Sequence, residues 1–463
     1  MNTERTAQQK KVVTRFAPSP TGFLHSGTYR TAVFSYLFAK KHGGEFILRI
    51  EDTDKERSKE EYEENIIECL AWLKMSYDRF YRQSENAPRH KEVLKKLISE
   101  GKAYISKEEA KDGSGVIKEI VRFKNPNRIV SFVDAIRGEI KIDTTDLGDF
   151  VIAKNLDEPL FHLAVVVDDA DEGVTHIIRG DDHISNTPRH ILLYEALGFD
   201  IPTYAHLPLV LSEDRTKLSK RKGAKAVTEY RDQGYLPGAI LNFITMIGFN
   251  DGTEKEIFTI NELIQAFDLE KVQKGGAVFN PVKLDWINKE HIKLLSDLDF
   301  KNHALAYMST ELKSLSNFNT RIDAVLPVIK ERINKFSDIR EMEAMGELHY
   351  FFIDSSYESA LLLCAEKQRK GKESMTIADL APIYEHLKTL IGGMTNFAPD
   401  AIKETLWPYA EQEGRGLVLW ALRTALSGRE KSPDPFTLVS IFGKEEAIRR
   451  IDVAIQKIHE SNQ

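Results

Sequence analysis

Cysteine is almost absent. The 463-residue chain has two, Cys69 and Cys364, far apart in sequence. Two distant thiols supply neither a disulfide framework nor a thiolate-based zinc site, and a reducing cytoplasm is the natural reading. Long apolar runs are missing too: no stretch offers about 18 uncharged apolar residues, so no membrane span is expected. The opening residues MNTERTAQQKK lack the apolar core of a secretion signal. A basic excess is also missing, since 64 Lys and Arg stand against 71 Asp and Glu, a formal charge of −7. That balance argues against a dedicated nucleic-acid binder, but it leaves room for a large acidic enzyme with a local basic face. Neither repeats nor low-complexity tracts are evident.

The length implies several domains, at roughly 100–200 residues each. Residues 12–16 (VVTRF) read as a strand. Residues 28–42 read as a helix, with Ala32, Val33, Tyr36, Leu37 and Phe38 near helical spacing, and FILRI (46–50) as a second strand. Strand–helix–strand signals a parallel α/β sheet, which places ligands at the carboxyl ends of its strands. Helices are expected over 58–75 and 89–100. From 104 to 160, β-branched residues and turns indicate a small β-containing insertion. FHLAVVVDD (161–169) and THIIRGDD (175–182) read as buried strands with polar ends, and 188–198 as a helix. A strand and a basic loop follow over 206–227, and beyond 230 the pattern is helical, with a division near 320.

Two short stretches carry chemistry. His25, Gly27 and Thr28 stand where a helix begins after the Pro-Ser-Pro-Thr-Gly turn. His25 and Thr28, three apart, face the same way. A helix N-terminus offers free N–H groups that suit phosphate, and Gly27 lets a ligand approach the backbone. A plain helix start with an incidental histidine is the bland alternative. About 190 residues later comes Lys217-Leu218-Ser219-Lys220-Arg221-Lys222-Gly223. Such a cationic loop suits a departing pyrophosphate, or is simply a solvated basic patch.

In this order, the two stretches resemble the paired signatures of the class I aminoacyl-tRNA synthetases, the His-x-Gly-His/Thr and Lys-x-Ser-Lys (KMSKS-type) motifs. RFAPSPTG (15–22), GGEFILRIEDTDKERS (43–58), VVVDD (165–169), HIIRGDDHISNTPRH (176–190), KLSKRKGA (217–224), EYRDQGYLPGAILNF (229–243) and ALRTALSGREKSPDPF (421–436) are similar to the glutamyl-tRNA synthetase family over nearly the whole chain. The resemblance implies a Rossmann-like catalytic domain in two halves (1–103 and 161–250) and an inserted acceptor-end-binding subdomain (104–160). A helical stem-contact domain (251–320) and an all-α anticodon-binding domain (321–463) would complete it. ATP would bind at His25, Gly27, Thr28, Ser219 and Lys220. Lys220 would contact the leaving group, with Lys217 and Arg221 supporting. Arg15 and Arg179 would face the glutamate γ-carboxylate, Glu51 the ammonium, and Ala17 and Ser19 would line the site. Guanidinium forks suit carboxylate, and glutamine would leave an arginine facing an amide N–H₂. Without the resemblance, a structural ion pair at a strand end would be the better reading of these charges.

Partners would be L-glutamate, tRNA(Glu) and Mg²⁺ carried with ATP, the chain acting as a cytoplasmic monomer. Two departures stand out. Leu160-Phe161 replaces a Thr-Tyr pair, so a pocket hydroxyl is missing at Phe161, with His162 or His183 as substitutes. The stretch 104–123 has no cysteine, so no zinc is expected. The acidic runs 51–54 and 168–172 read as strand ends turning into capped helices, Glu51 excepted. Trp407 and Trp420 read as core, and Arg332, Arg423, Arg429 and Lys431 as electrostatically reasonable anticodon contacts. A small-molecule nucleotidyltransferase, a glutaminyl enzyme, a short relative that modifies a tRNA base and an inactive tRNA binder all fit less well. They lack, respectively, the long helical tail, a helical C-terminal half, the length, and a reason to keep both His25 and Lys220.

Overall fold

The computed structural model describes residues 11–109, 117–218, 225–363 and 376–461. They form two compact units, one ending at His291 and the other beginning at Ile292.

The N-terminal unit opens with the expected strand–helix–strand: β1 (Val13–Phe16), α1 (Ser26–Lys41) and β2 (Glu45–Ile50). β1 and β2 pair in parallel, Val13 opposite Glu45 and Phe16 opposite Leu48, and β3 (Arg79–Arg82) continues the parallel sheet. β2 is buried beyond its first residue, as a strand covered on both faces must be. α1 ends on Lys40 and Lys41, where cations suit the negative end of the helix dipole. It stops where Gly43 takes φ 59°, a conformation that strains other residues. Gly44 then passes β1 so closely that a Cβ there would overlap the Val12 carbonyl oxygen. The helices α2 (Glu60–Trp72) and α3 (Ala87–Ser99) follow.

The insertion is β-rich, as expected: β4 (Ala103–Glu109), β5 (Ile117–Phe123), β6 (Ile129–Asp134), β7 (Gly138–Asp143), β8 (Phe150–Asn155) and β9 (Glu158–Pro159). It does not stand apart. β4, β5, β8 and β9 make one antiparallel sheet, but the β6–β7 hairpin joins the sheet that holds β10 (His176–Gly180) and β11 (Thr203–Leu207). Asp134, at the end of β6, pairs with Tyr204 of β11. β10 and β11 run parallel, Gly180 opposite Leu207. Thr175 ties them to β1: its N–H donates to the Val13 carbonyl at 2.9 Å, and its Oγ1 accepts from the Val13 N–H at 2.8 Å.

One expected strand is a helix. Residues 161–169 form the start of α4 (Phe161–Asp171), not an extended segment. Leu163 through Asp169 are all buried, so the apolar run shows no free face, and a buried helix and a buried strand then look alike in sequence. Three valines favour a strand locally; packing on several sides overrides them. α5 (Thr187–Leu197) follows, and then the short β12 (Val210–Leu211). Beyond it lie α6 (Val227–Asp232), α7 (Pro237–Met246), α8 (Ile260–Ala266) and α9 (Pro281–Lys293), with one break in the helical pattern where β12 pairs with Ala277–Val278.

The C-terminal unit is helical among its described residues, from Asp297–Tyr307 to the long segment Pro435–Ser461, which kinks at Gly443. Its core gathers buried apolar residues such as Leu387, Ile391, Leu422, Val439 and Ile451. Trp407 and Trp420, expected in the core, are half-buried. Each indole N–H finds an acceptor, Glu411 for Trp407 and the Leu361 carbonyl for Trp420, both at 3.0 Å. Arg415 lies over the first ring and Arg423 over the second. An amphipathic indole settles at the boundary where its polar edge is satisfied. Among the described residues no helix is long and apolar enough to cross a membrane.

Replacing Gly44 with Ala forces a Cβ against backbone that cannot swing aside. The expected cost is about 1–3 kcal/mol, read as a lower urea midpoint with an unchanged slope.

Candidate active site

The carboxyl ends of β1, β2, β10 and β11 open onto one cavity of about 420 Å³. Its first wall is the turn after β1. Pro18 accepts from the Glu51 N–H and Pro20 from the Lys59 N–H, both at 3.0 Å, so the exit of β2 clamps the turn. The turn delivers His25 to the N-cap of α1 in an extended conformation. A Cβ at Gly27 would come within 3.1 Å of the His25 ring, so Gly27 gives the imidazole its place as well as leaving backbone accessible.

The described residues expected at the site converge. Arg15, Ala17, Ser19, His25, Gly27, Thr28, Glu51, Phe161, Arg179, His183 and Lys217 all line this cavity. Ser219, Lys220 and Arg221 lie outside the described residues. The chain on either side of them is fixed to the cavity wall. Leu218 donates its N–H to the Val210 carbonyl at 2.9 Å, Lys217 forms a bridge with Leu211, and Ala226 forms one with His25. Of the two histidines considered beside Phe161, His183 is on the wall; His162 turns toward His190, Nδ1 to Nε2 3.0 Å.

The charges fall into two groups. Arg15 is buried and donates to Asp169, Nε to Oδ1 3.1 Å. Fully buried Arg49 reaches Asp169 and Glu172 at 2.8 Å and Glu51 at 3.3 Å. Burial pushes the Asp169 carboxyl up, but Arg15 and Arg49 outweigh that and hold it below its usual value. Glu51 goes the other way, raised by burial that the two arginines only partly offset. Arg179 belongs to no such cluster. It is 6% exposed, and among the described residues no carboxylate lies within ion-pair distance of it. Its Nε donates to His206 Nε2 at 3.2 Å, Nη1 meets His190 Nδ1 at 3.3 Å, and Nη2 donates to Thr187 Oγ1 at 2.9 Å. Burial lowers its pKa. A desolvated cation held by neutral acceptors favours an anion in the cavity.

The sequence reading missed several participants. The 168–172 run does not turn out of a strand into a cap. Asp168 and Asp169 point inward from α4, Asp169 to the arginines and Asp168 to His90 (2.6 Å), Gln83 (2.8 Å) and Asn86 (2.7 Å), while Asp171 stays exposed beside Arg89. Reading the segment as a helix would have revealed this, because 165, 168, 169 and 172 then share a face. Asp182 was also missed: it accepts from Lys217 at 3.1 Å, and a Cβ at Gly180 would overlap it. Of the anticodon candidates, Arg429 donates to the Met345 and Gly346 carbonyls at 2.6 and 2.9 Å, Arg423 to the Glu430 carbonyl, and Arg332 pairs with Glu347. Lys431 is exposed.

The chain matches the family model for the catalytic domain of class I tRNA synthetases (E and Q) over residues 11–112 and 105–286, and an anticodon binding domain over 299–455. The chain belongs to this family. It is an aminoacyl-tRNA synthetase, a ligase that uses ATP. A glutamate--tRNA ligase of Aquifex aeolicus is 39% identical over 97% of this chain and 99% of its own. One from Alkalilimnicola ehrlichii is 37% identical over 97% and 98%. A crystal structure of a glutamate tRNA ligase from Elizabethkingia meningosepticum, in complex with its amino acid, superposes with TM-score 0.83 at 31% identity, covering 96% of the synthetase and 99% of that chain.

Glu172 tests the charge balance. Its carboxyl is raised from 4.5 to about 7 by burial, partly offset by Arg49. The folded chain then holds this proton more tightly than the unfolded chain. Its stabilising contribution is complete below about pH 4.5 and lost as pH rises through about 7, on the order of 3 kcal/mol. Urea unfolding of wild type and Glu172→Gln should show the wild type losing stability relative to the variant across that window. A difference that stays flat contradicts the buried, raised carboxyl.

Proposed function

We infer that the synthetase attaches glutamate to the terminal adenosine of tRNA(Glu), through a glutamyl-adenylate formed in this cavity. The observation that carries the reading is Arg179, a buried cation whose partners are all neutral. The γ-carboxylate of glutamate supplies the missing anion, shared with Arg15 at the end of β1. Glu51 receives the ammonium group. The α-carboxylate is thereby aimed at the start of α1, where His25 and Thr28 take the ATP phosphates and Gly27 lies near the adenosine. It attacks the α-phosphorus, and pyrophosphate leaves toward the cationic loop of Lys217, Ser219, Lys220 and Arg221. The attacking carboxylate is already ionised at pH 7, so the step needs positioning and charge stabilisation rather than a strong base. Mg²⁺ arrives with ATP as part of the substrate. The hydroxyl of the tRNA's terminal ribose then displaces AMP from the mixed anhydride.

Phe161 and His183 complete the side-chain pocket, His183 supplying a polar edge beside Phe161, which has no hydroxyl. Residues 104–160 meet the acceptor end, 251–320 the stem and 321–463 the anticodon. The enzyme works in the cytoplasm, as a monomer and without zinc. ATP–pyrophosphate exchange with glutamate and glutamine, with and without each tRNA, tests the reaction; absence of glutamate-dependent exchange under all conditions refutes it. Arg179→Ala should cut glutamate-dependent exchange by about 10²–10³-fold, the equivalent of losing one partner of a buried charge pair, while ATP binding persists. Lys220→Ala should slow adenylate formation far more than it weakens tRNA binding; equal losses contradict its place at the leaving group.

A further inference from the structure

Arg179 donates to histidines, and a histidine ring accepts a hydrogen bond only through an unprotonated nitrogen. His206 makes this requirement explicit. Its Nε2 lies 3.2 Å from the Arg179 Nε–H, and its Nδ1 lies 2.7 Å from Asp134 Oδ2, with both Asp134 and His206 side chains fully buried. An ionised carboxylate only accepts, so Asp134 fixes the proton on Nδ1 and leaves the Nε2 lone pair to the Arg179 Nε–H and to Thr187 Oγ1, which lies 3.1 Å away. Burial lowers the His206 pKa in spite of Asp134, so the ring stays neutral. His190 repeats the pattern: Nδ1 faces Arg179, and Nε2 faces His162 Nδ1 at 3.0 Å.

Asp134 comes from the insertion. It sits at the end of β6, pairs with Tyr204, and also accepts from the N–H groups of Ile136 and Arg137 at 3.0 and 2.9 Å. We propose that Asp134 and His206 are positioning residues for substrate recognition, a relay in which the insertion sets the histidine tautomer that aims the Arg179 guanidinium without neutralising it. A carboxylate bonded directly to Arg179 would compete with the substrate anion. One placed behind an imidazole orients the guanidinium and leaves its cavity-facing edge available. This inference rests on the reading that Arg179 receives the glutamate side chain.

Asp134→Asn tests it. Two turn N–H groups face Oδ1, while the His206 N–H and Nδ1 face Oδ2. The amide therefore keeps its oxygen at the turn and turns its N–H₂ to His206. Nδ1 must then accept, the proton moves to Nε2, and the new N–H opposes the Arg179 Nε–H and turns to Thr187 Oγ1 instead. In exchange assays with tRNA(Glu), the glutamate KM should rise tenfold or more, with the ATP KM within about twofold. Long-range ¹⁵N spectra of the histidine-labelled full chain should show His206 protonated on Nδ1 in wild type and on Nε2 in the variant. His206→Gln, whose carbonyl accepts without a tautomer, should restore much of the affinity and remove the sensitivity to Asp134→Asn. An Nε2-protonated or doubly protonated His206 in wild type overturns the proposal even if the variant does not fold. So does an unchanged glutamate KM, or an equal rise in both KM values. Failure of the underlying reading shows separately, as Arg179→Ala retaining glutamate-dependent exchange.

Discussion

Arg179 carries a positive charge to the wall of the cavity and meets only neutral acceptors there. Burying a cation without an adjacent anion is costly, and much of the surrounding architecture follows from keeping that charge usable. Histidines whose pKa values burial depresses supply lone pairs rather than competing charge. The compensating carboxylate, Asp134, stands one imidazole away. The β6–β7 hairpin of the insertion has to join the parallel sheet to put it there. Strand order and site chemistry are thus one problem, solved at the Asp134–Tyr204 pairing.

The neighbouring β1–β2 edge follows the reverse principle. Arg15 and Arg49 are packed against Asp169, Glu172 and Glu51, a dense network that fixes geometry. The cost of burying these charges is contained because each has an ionic partner, although the Arg49 Nε–H finds no acceptor among the described residues. Its three carboxyl groups outnumber its two guanidiniums, and burial raises the Glu51 carboxyl, so a further cation at Glu51 is favoured. The cavity therefore presents an anion-seeking Arg179 and a cation-seeking Glu51, the polarity that a zwitterionic amino acid with an acidic side chain requires.

Much of this was legible in the sequence. The strand–helix–strand period, the helix start at His25 and the basic loop were all visible, and the described residues assigned to the site line a single cavity. What stayed hidden involved residues whose roles depend on distant partners. FHLAVVVDD reads as a strand because its valines report local preference, while its helical form is decided by packing. Asp168 and Asp169 then read as a strand end turning into a capped helix, although their partners come from segments roughly 80 to 150 positions away. Asp134 and His206 carried no pattern at all. Trp407 and Trp420 were misplaced because hydrophobic size was weighed without the indole N–H.

The bridges Leu211–Lys217 and His25–Ala226 pin both ends of the basic stretch to one rim. Its span is set by the scaffold, so the entropy of closing it scales only weakly with its length, about 0.6 kcal/mol per doubling. Residues inserted between the anchors would extend its reach while leaving the imidazole and the helix start in place.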